Sequence, residues 1–363
     1  MDAKIIGYDG QVPVGPSEKR GEPMYPSTPD DVFELVDGYV VAAATGAAME
    51  RGLFWILMDE PLPAAVVADT LGIPVNRCRP WLELVAGLGL LDRSARGYVT
   101  SATARTTILD TASRETWSFL AREARESLAV VTDLARRLSD PDVPSEIQHT
   151  VSTDYVTKMR EDPGRAEEFT RMLYEIHLPL AEELATTLPV SGLGRLLDVG
   201  GGSGVMSFAL LRRFPKLEAV VLDISTVCAV GRQIAAEHHL QDRIDYQPCE
   251  FLEKDLPVGF DMILYCDVSE YNEVLFDKFR SSLRPGGLVV IVNKFGTDAG
   301  LSHPSRAHRA LLRSLSESRR REVRAHDVED MLRTAGFKDS STLVLPDLKT
   351  RWSSGWSRIT ART

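Results

Sequence analysis

Cysteine is scarce: 363 residues carry four (Cys78, Cys228, Cys249 and Cys266), scattered and with no CxxC pair. That excludes a disulfide framework and gives no zinc ligand spacing. A surplus of positive charge is also lacking, since 42 Lys and Arg face 52 Asp and Glu, a net charge of −10. Such a balance opposes non-specific nucleic-acid binding, which needs a positive field to release counterions. Long apolar runs are missing as well. The most apolar stretch, Val40 to Met49, is far shorter than the roughly 20 residues of a membrane span. The opening MDAKIIGYDGQ holds no apolar signal core. These absences predict a cytoplasmic protein with neither a membrane nor a nucleic-acid partner.

What is present is ordinary for a globular chain, 44% hydrophobic and 26% charged. The length exceeds one compact core and predicts about two domains. Residues 1–27, with four prolines, read as an irregular arm. Thr28-Pro29-Asp30-Asp31 then predicts a helix start: a capping hydroxyl, a proline for the first position and acids for the positive end of the dipole. Val32 to Leu57 continues it as an Ala-rich apolar helix that needs cover on more than one side. Pro63 to Gly72 reads as a short helix, a second capped by Asn76 runs to about Gly87, and residues 88–100 read as a hairpin. This succession predicts a winged-helix-like domain over residues 28–105. The shape serves either DNA binding or a dimerisation or lid module, and the acidic charge favours the latter. Residues 106–190 read as connecting and pocket helices, from Arg114 to Leu138 and from Glu167 to Leu188.

From 191 to 363 the pattern becomes α/β. Strands at Leu196–Val199, Ala219–Leu222, Ile244–Gln247, Met262–Tyr265 and Leu288–Val292 alternate with helices, predicting a Rossmann-like parallel sheet. The first strand ends at Asp198 and runs into Gly200, Gly202 and Gly204 before a helix. Such a turn lets a ligand approach backbone closely and offers helix N–H groups to an anion. Asp223 ends the next strand, 19 residues beyond Gly204, where a ribose-binding carboxylate sits in such sheets. The form DxGxGxG leans away from NAD and towards S-adenosylmethionine.

The sequence resembles the S-adenosylmethionine-dependent small-molecule O-methyltransferases of the caffeate type, over about residues 30 to 360. LLDVGGGSG (196–204) matches the first family motif, LDIS (222–225, with Ile224) the ribose acid, and EFLEKDLPVGFD (250–261) the third. LRPGG (283–287) and AGF (335–337) follow, while AMERGLFWIL, VVADTLGIP and LGLLDRSARGYVTS resemble the N-terminal dimerisation domain. The resemblance implies a homodimer, S-adenosylmethionine as cofactor with S-adenosylhomocysteine as product, and a small aromatic, hydroxylated acceptor. It implies Glu250, where Asp is usual, near the adenine amino group, Phe251 against the ring, and Cys266 where a lysine is usual.

The family's catalytic histidine has no counterpart in Cys266-Asp267-Val268-Ser269-Glu270-Tyr271-Asn272-Glu273. Counting from Asp261 puts Glu270 at its place; matching Ser-Glu-Tyr to His-Asp-Trp puts Ser269 there. The two glutamates that back the histidine fall on Asn293 and on Glu322, which is retained. A phenol with a pKa near ~10 is mostly protonated at neutral pH, and serine is no base for it. A buried Glu270 is one if desolvation raises its pKa towards ~6–7. Otherwise transfer rests on holding the acceptor in line, and ring carbon is then as open a target as oxygen. Phe169, Met172, Leu173, Ile176 and His177 at helical spacing, with Tyr271 and Asn293, are the candidate acceptor pocket. His303 and His308 lack convincing carboxylate partners, so no metal site is indicated. Two other readings stand beside methyl transfer: a cofactor-retaining homologue doing hydroxylation or cyclisation, and a winged-helix regulator, for which Arg77 and Arg79 beside Glu83 give poor support.

Overall fold

The computed structural model describes residues 26–140, 155–188, 190, 192–296, 304–316, 323–346 and 355–363. The chain divides into two compact units, one ending at Ala43 and one running from Ala44 to Thr363. The described part of the first unit is the head of the helix Pro29–Glu50. Its start is capped as its sequence predicts. The Asp31 carboxylate accepts from the Ser27 and Thr28 N–H groups at 2.7 and 2.8 Å, and Thr28 Oγ1 accepts from Asp31 N–H. These bonds hold the Asp31 carboxyl down at about 2.

This helix corrects the length argument against a membrane span. It is 22 residues long, and an 18-residue window of mean hydropathy 1.4 suffices by length and composition to cross a bilayer. Val32, Phe33, Leu35, Val36, Tyr39 and Val40 are all exposed. The periodic apolar pattern simply extends beyond the densest stretch at Val40–Met49.

The second unit opens with the predicted succession: helices Leu53–Ile56, Ala64–Leu71 and Val75–Gly87, then the antiparallel hairpin β1 (Leu91–Ser94) and β2 (Gly97–Thr100). Leu53, Phe54, Leu57, Val67, Leu82 and Val85 form its core. Asn76 is not the cap: the helix starts two residues earlier than an Asn76 cap would place it, with Pro74 at the N-cap, because proline's fixed φ already suits the entry. Helices Arg114–Val131, Tyr155–Glu161 and Pro163–Thr187 follow, the first and last capped by Ser113 and Asp162 side chains.

The sheet has seven strands in the order β5-β4-β3-β6-β7-β9-β8. Strands β3 (Arg195–Val199), β4 (Glu218–Asp223), β5 (Ile244–Pro248), β6 (Phe260–Cys266) and β7 (Leu283–Asn293) are parallel. Strands β8 (Lys338–Val344) and β9 (Ser357–Arg362) pair antiparallel, which corrects the all-parallel expectation. Their sequences, KDSSTLV and SRITAR, carry no apolar run because β8 is an edge and β9 buries only Ile359 and Ala361. The inner strands β3, β4, β6 and β7 are covered on both faces, whereas β5 at the other edge buries only Ile244 and Tyr246. Leu196, Val221, Leu264 and Val290 pack towards the helices Pro163–Thr187, Val205–Arg213 and Ser225–Glu237. Leu197, Ile263, Tyr265 and Ile291 pack towards Glu273–Ser282 and Ala325–Thr334.

Packing of helix on sheet is closest at Gly231, where an added Cβ would strike the Tyr246 ring and lie 2.7 Å from its Cδ1. Gly231→Ala should therefore lower stability by about 1–3 kcal/mol through overpacking, despite alanine's better helix propensity. Urea unfolding checks this, and a stabilised variant would contradict it.

Strand order reverses between β3 and β6: the chain runs outward from β3 to β4 and β5, then returns to β6 on the other side. Such a switch point opens a crevice at the carboxyl ends of the strands, where α/β sheets hold ligands.

Candidate active site

Asp198 is buried next to the last residue of β3 at that crevice, and after Val199 the chain turns through Gly200, Gly202 and Gly204 with φ of +67°, +57° and +80°. A Cβ on Gly200 would come 2.8 Å from Val268 Cγ2 and 3.6 Å from the Phe251 ring. One on Gly201 would come 2.5 Å from the Asp198 carboxyl carbon. At Gly202 nothing lies within 4 Å, so that side of the turn is open to a ligand. The turn ends at Gly204, the N-cap of the helix Val205–Arg213.

Two buried carboxyl groups face this turn. Asp223, at the end of β4, accepts from Gly202 N–H at 2.9 Å and from Ile224 N–H at 2.8 Å. Asp198 Oδ2 accepts from Ser207 Oγ at 2.6 Å, whereas its Oδ1 is buried with no hydrogen-bond partner among the described residues. Burial raises Asp198 to about 7, with the Asp223 charge adding and the Ser207 bond opposing. Burial likewise raises Asp223 to about 6 against its two backbone bonds. An orphaned buried acceptor and a carboxyl held near neutrality are what a cationic, hydroxylated ligand would complete.

Glu250 and Phe251 follow β5. Phe251 stands edge-on to Tyr265 at 6.2 Å and beside Gly200, so it forms an apolar wall of the crevice. Glu250 is ion-paired with Arg160, a residue the sequence reading did not single out. Next to Arg160, Met159 packs with Ala166, Ile224 and Val227, and Phe169 joins the same cluster. Ile224 from the cofactor set and Phe169 from the acceptor set are thus brought together.

On the far side, Cys266 ends β6 and is buried, which pushes its thiol well above the usual range. Asn293 Nδ2, at the end of β7, donates to the Tyr271 hydroxyl at 2.6 Å and to the Val268 carbonyl at 2.9 Å. Burial raises the Tyr271 phenol. Ser269 is exposed and Glu270 half-buried, its backbone carbonyl accepting from Tyr265 Oη at 2.7 Å. The full desolvation that would make Glu270 a strong base is not there. Met172 and His177 are buried, and Leu173 and Ile176 half-buried, on one helix. His177 Nε2 lies 3.6 Å from Asp267 Oδ2. Glu322 and His303 fall outside the described residues. A depression of about 350 Å³, lined in part by Trp55, Leu109, Ser113 and Glu175, shares no residue with this site.

Residues 136–338, more than half of the chain, match the O-methyltransferase domain family. The chain belongs to this family. It is 26% identical over 335 residues to the 3-hydroxy-5-methyl-1-naphthoate 3-O-methyltransferase of Streptomyces sahachiroi, covering 89% of this chain and 93% of that one. It is 30% identical over 152 residues to the L-tyrosine C(3)-methyltransferase of Streptomyces lavendulae, 40% of this chain and 42% of that one. Among solved structures it resembles the mitomycin 7-O-methyltransferase MmcR, with a TM-score of 0.77, 21% identity, and coverage of 92% and 97%. This O-methyltransferase-family enzyme is S-adenosylmethionine-dependent. The residues at hand fit that cofactor: an open glycine turn, a buried carboxylate oxygen without a partner among the described residues that would suit its ammonium group, a second carboxylate that would face its ribose, and an apolar wall that would suit its base. Bound there, the cofactor supplies an electrophilic sulfonium methyl group.

Proposed function

We propose that this enzyme methylates a small aromatic, hydroxylated metabolite of specialised metabolism, at oxygen or at a ring carbon, and works as a homodimer. One observation supports the reading: the glycine turn whose Gly202 N–H bonds Asp223 packs at Gly200 against Val268, and the Val268 carbonyl accepts from Asn293, the partner of Tyr271. Asp198 and Asp223 hold the cofactor, Phe251 and Glu250 flank its adenine, and Cys266 lines the floor. Phe169, Met172, Leu173 and Ile176 supply apolar cover for an aromatic ring, while Tyr271, Asn293, Ser269 and Glu270 give it a polar edge. Orientation alone contributes several kcal/mol in such a site. The relatives act on a hydroxynaphthoate oxygen and on a tyrosine ring carbon, and a phenolate activates both atoms.

The test is transfer of label from methyl-labelled S-adenosylmethionine to a panel of phenols, hydroxynaphthoates and aromatic amino acids, with the methylated atom read by NMR. Label in no panel compound would favour a cofactor-retaining homologue with other chemistry. Asp223→Ala should weaken S-adenosylhomocysteine about 10- to 100-fold, the worth of a charge-assisted hydrogen bond; unchanged affinity by calorimetry removes Asp223 from the ribose. The exposed apolar residues of Pro29–Glu50 supply the dimer surface. Phe33→Glu with Val36→Glu should turn a dimer into a monomer by light scattering, and a wild-type monomer would overturn the dimer.

A further inference from the structure

His177 is a buried imidazole, 7% exposed. Its neighbours are Asp267 Oδ2, 3.6 Å from Nε2 and beyond hydrogen-bond range, and Trp356, whose ring meets it edge-on at 5.6 Å. Lys294 Nζ lies 4.8 Å from the centre of the same Trp356 ring. Three elements thus surround the imidazole: Asp267 just past the end of β6, Lys294 just past the end of β7, and Trp356 at the entry to β9. All lie at the end of the sheet that carries the Tyr271–Asn293 pair.

Asp267 is held in an unusual way. Its φ is +56°, a left-handed backbone that costs a non-glycine residue about 1 kcal/mol, and its N–H donates to the Val292 carbonyl at 2.9 Å. Backbone strain of this kind concentrates where a side chain must be aimed. Burial, reinforced by the Lys294 charge, holds His177 down at about 4, so the imidazole is neutral throughout the physiological range.

We propose that His177, positioned by Asp267, is the general base for the methyl acceptor, a role the resemblance would give to the loop after β6. This rests on the methyltransferase reading above. With Nε2–H facing the Asp267 carboxylate across 3.6 Å, an electrostatic rather than a hydrogen-bonded neighbour, Nδ1 keeps its lone pair. As the acceptor oxygen forms its bond to the methyl carbon, the S–CH3 pair stays on sulfur and the phenolic proton passes to Nδ1. The sulfonium charge is thereby exchanged for an imidazolium beside the Asp267 carboxylate. Low basicity is no obstacle, because the oxygen's proton becomes strongly acidic as the new bond forms. Glu270, half-buried, then shapes the acceptor's edge.

The test compares His177→Gln, Asp267→Asn and Glu270→Gln in S-adenosylhomocysteine binding and in transfer to whichever panel phenol the wild type methylates. His177→Gln should bind S-adenosylhomocysteine within twofold of wild type yet lose at least ~100-fold in transfer. Asp267→Asn, whose asparagine tolerates the left-handed backbone, should lose about 10-fold, and Glu270→Gln less. Turnover of His177→Gln within threefold of wild type, or a greater loss in Glu270→Gln, overturns the assignment. Nitrogen-15 NMR gives a readout that needs no acceptor. His177 should be a neutral Nε2–H tautomer at pH 7 and lose that preference in Asp267→Asn. An Nδ1–H tautomer or an imidazolium overturns the proposal even where no panel phenol is methylated. Failure of the wild type to bind S-adenosylhomocysteine would instead sink the methyltransferase reading.

Discussion

Gly204→Val should lose several kcal/mol of stability and weaken S-adenosylhomocysteine binding by at least ~100-fold. Gly204 has φ +80° and caps the helix Val205–Arg213. An added Cβ would strike the Tyr246 hydroxyl and come 3.3 Å from both Ile244 Cδ1 and Phe208 Cε1. The left-handed backbone alone costs an L-residue about 1–2 kcal/mol, more when β-branched, and overpacking adds about 1–3. The Tyr246 hydroxyl cannot yield cheaply, since it is buried and donates to the Ser203 carbonyl at 2.7 Å, inside the ligand turn itself. Movement there displaces the turn proposed to cradle the cofactor. Gly202→Ala is the contrast: the same left-handed backbone, but nothing within 4 Å, so stability should drop only by about 1 kcal/mol. Tyr246→Phe in the Gly204→Ala background should recover part of the loss, because removing the hydroxyl makes room. Urea unfolding and calorimetry read both effects; a Gly204→Val protein that binds like wild type would show that the turn is not the cofactor's cradle.

The turn itself was legible because its chemistry is local. Strand, acid, alternating glycines and helix are consecutive, and the second acid follows at a fixed distance. The inner parallel strands β3, β4, β6 and β7 were legible for a similar reason, since burial on both faces writes them largely as apolar runs, while β5 at the edge shows only alternation, with Ile244 and Tyr246 buried. What escaped the sequence depends on what lies across space. β8 is polar because it is the edge strand and buries no residue, and β9, between β7 and β8, buries only Ile359 and Ala361. Arg160 looks like any helix-surface arginine until Glu250 is placed beside it. His177 reads as one more residue on an apolar helix face, and only the left-handed turn at Asp267 shows what it meets. The loop count points to Glu270 or Ser269, and the imidazole proposed above comes from a different element, the helix Pro163–Thr187.

Ligand-free protein should become less stable as pH rises from about 4 to 7, and Asp198→Asn should remove most of that slope. In the unfolded chain the two aspartates release their protons near the usual ~4. In the folded chain Asp223 holds its proton to about 6 and Asp198 to about 7. Between those limits the native state binds more protons than the unfolded state, so stability falls with rising pH and levels off above the folded values. A carboxyl raised from ~4 to about 7 gives up to about 4 kcal/mol at pH 8, an upper bound because the two acids share the burden. Asparagine keeps the shape and an oxygen for Ser207 Oγ but carries no charge. At pH 8 the Asp198→Asn protein should therefore be a few kcal/mol more stable than wild type, and at pH 4 nearly equal to it. It should also bind S-adenosylhomocysteine at least ~10-fold more weakly, because the buried Oδ1 no longer offers the cofactor's ammonium group a carboxylate. The two outcomes together distinguish a functional acid from a packing defect: stability rises while affinity falls. Urea unfolding against pH, with calorimetry at pH 8, measures both; an unchanged slope, or affinity retained with the charge gone, would take Asp198 out of the cofactor site.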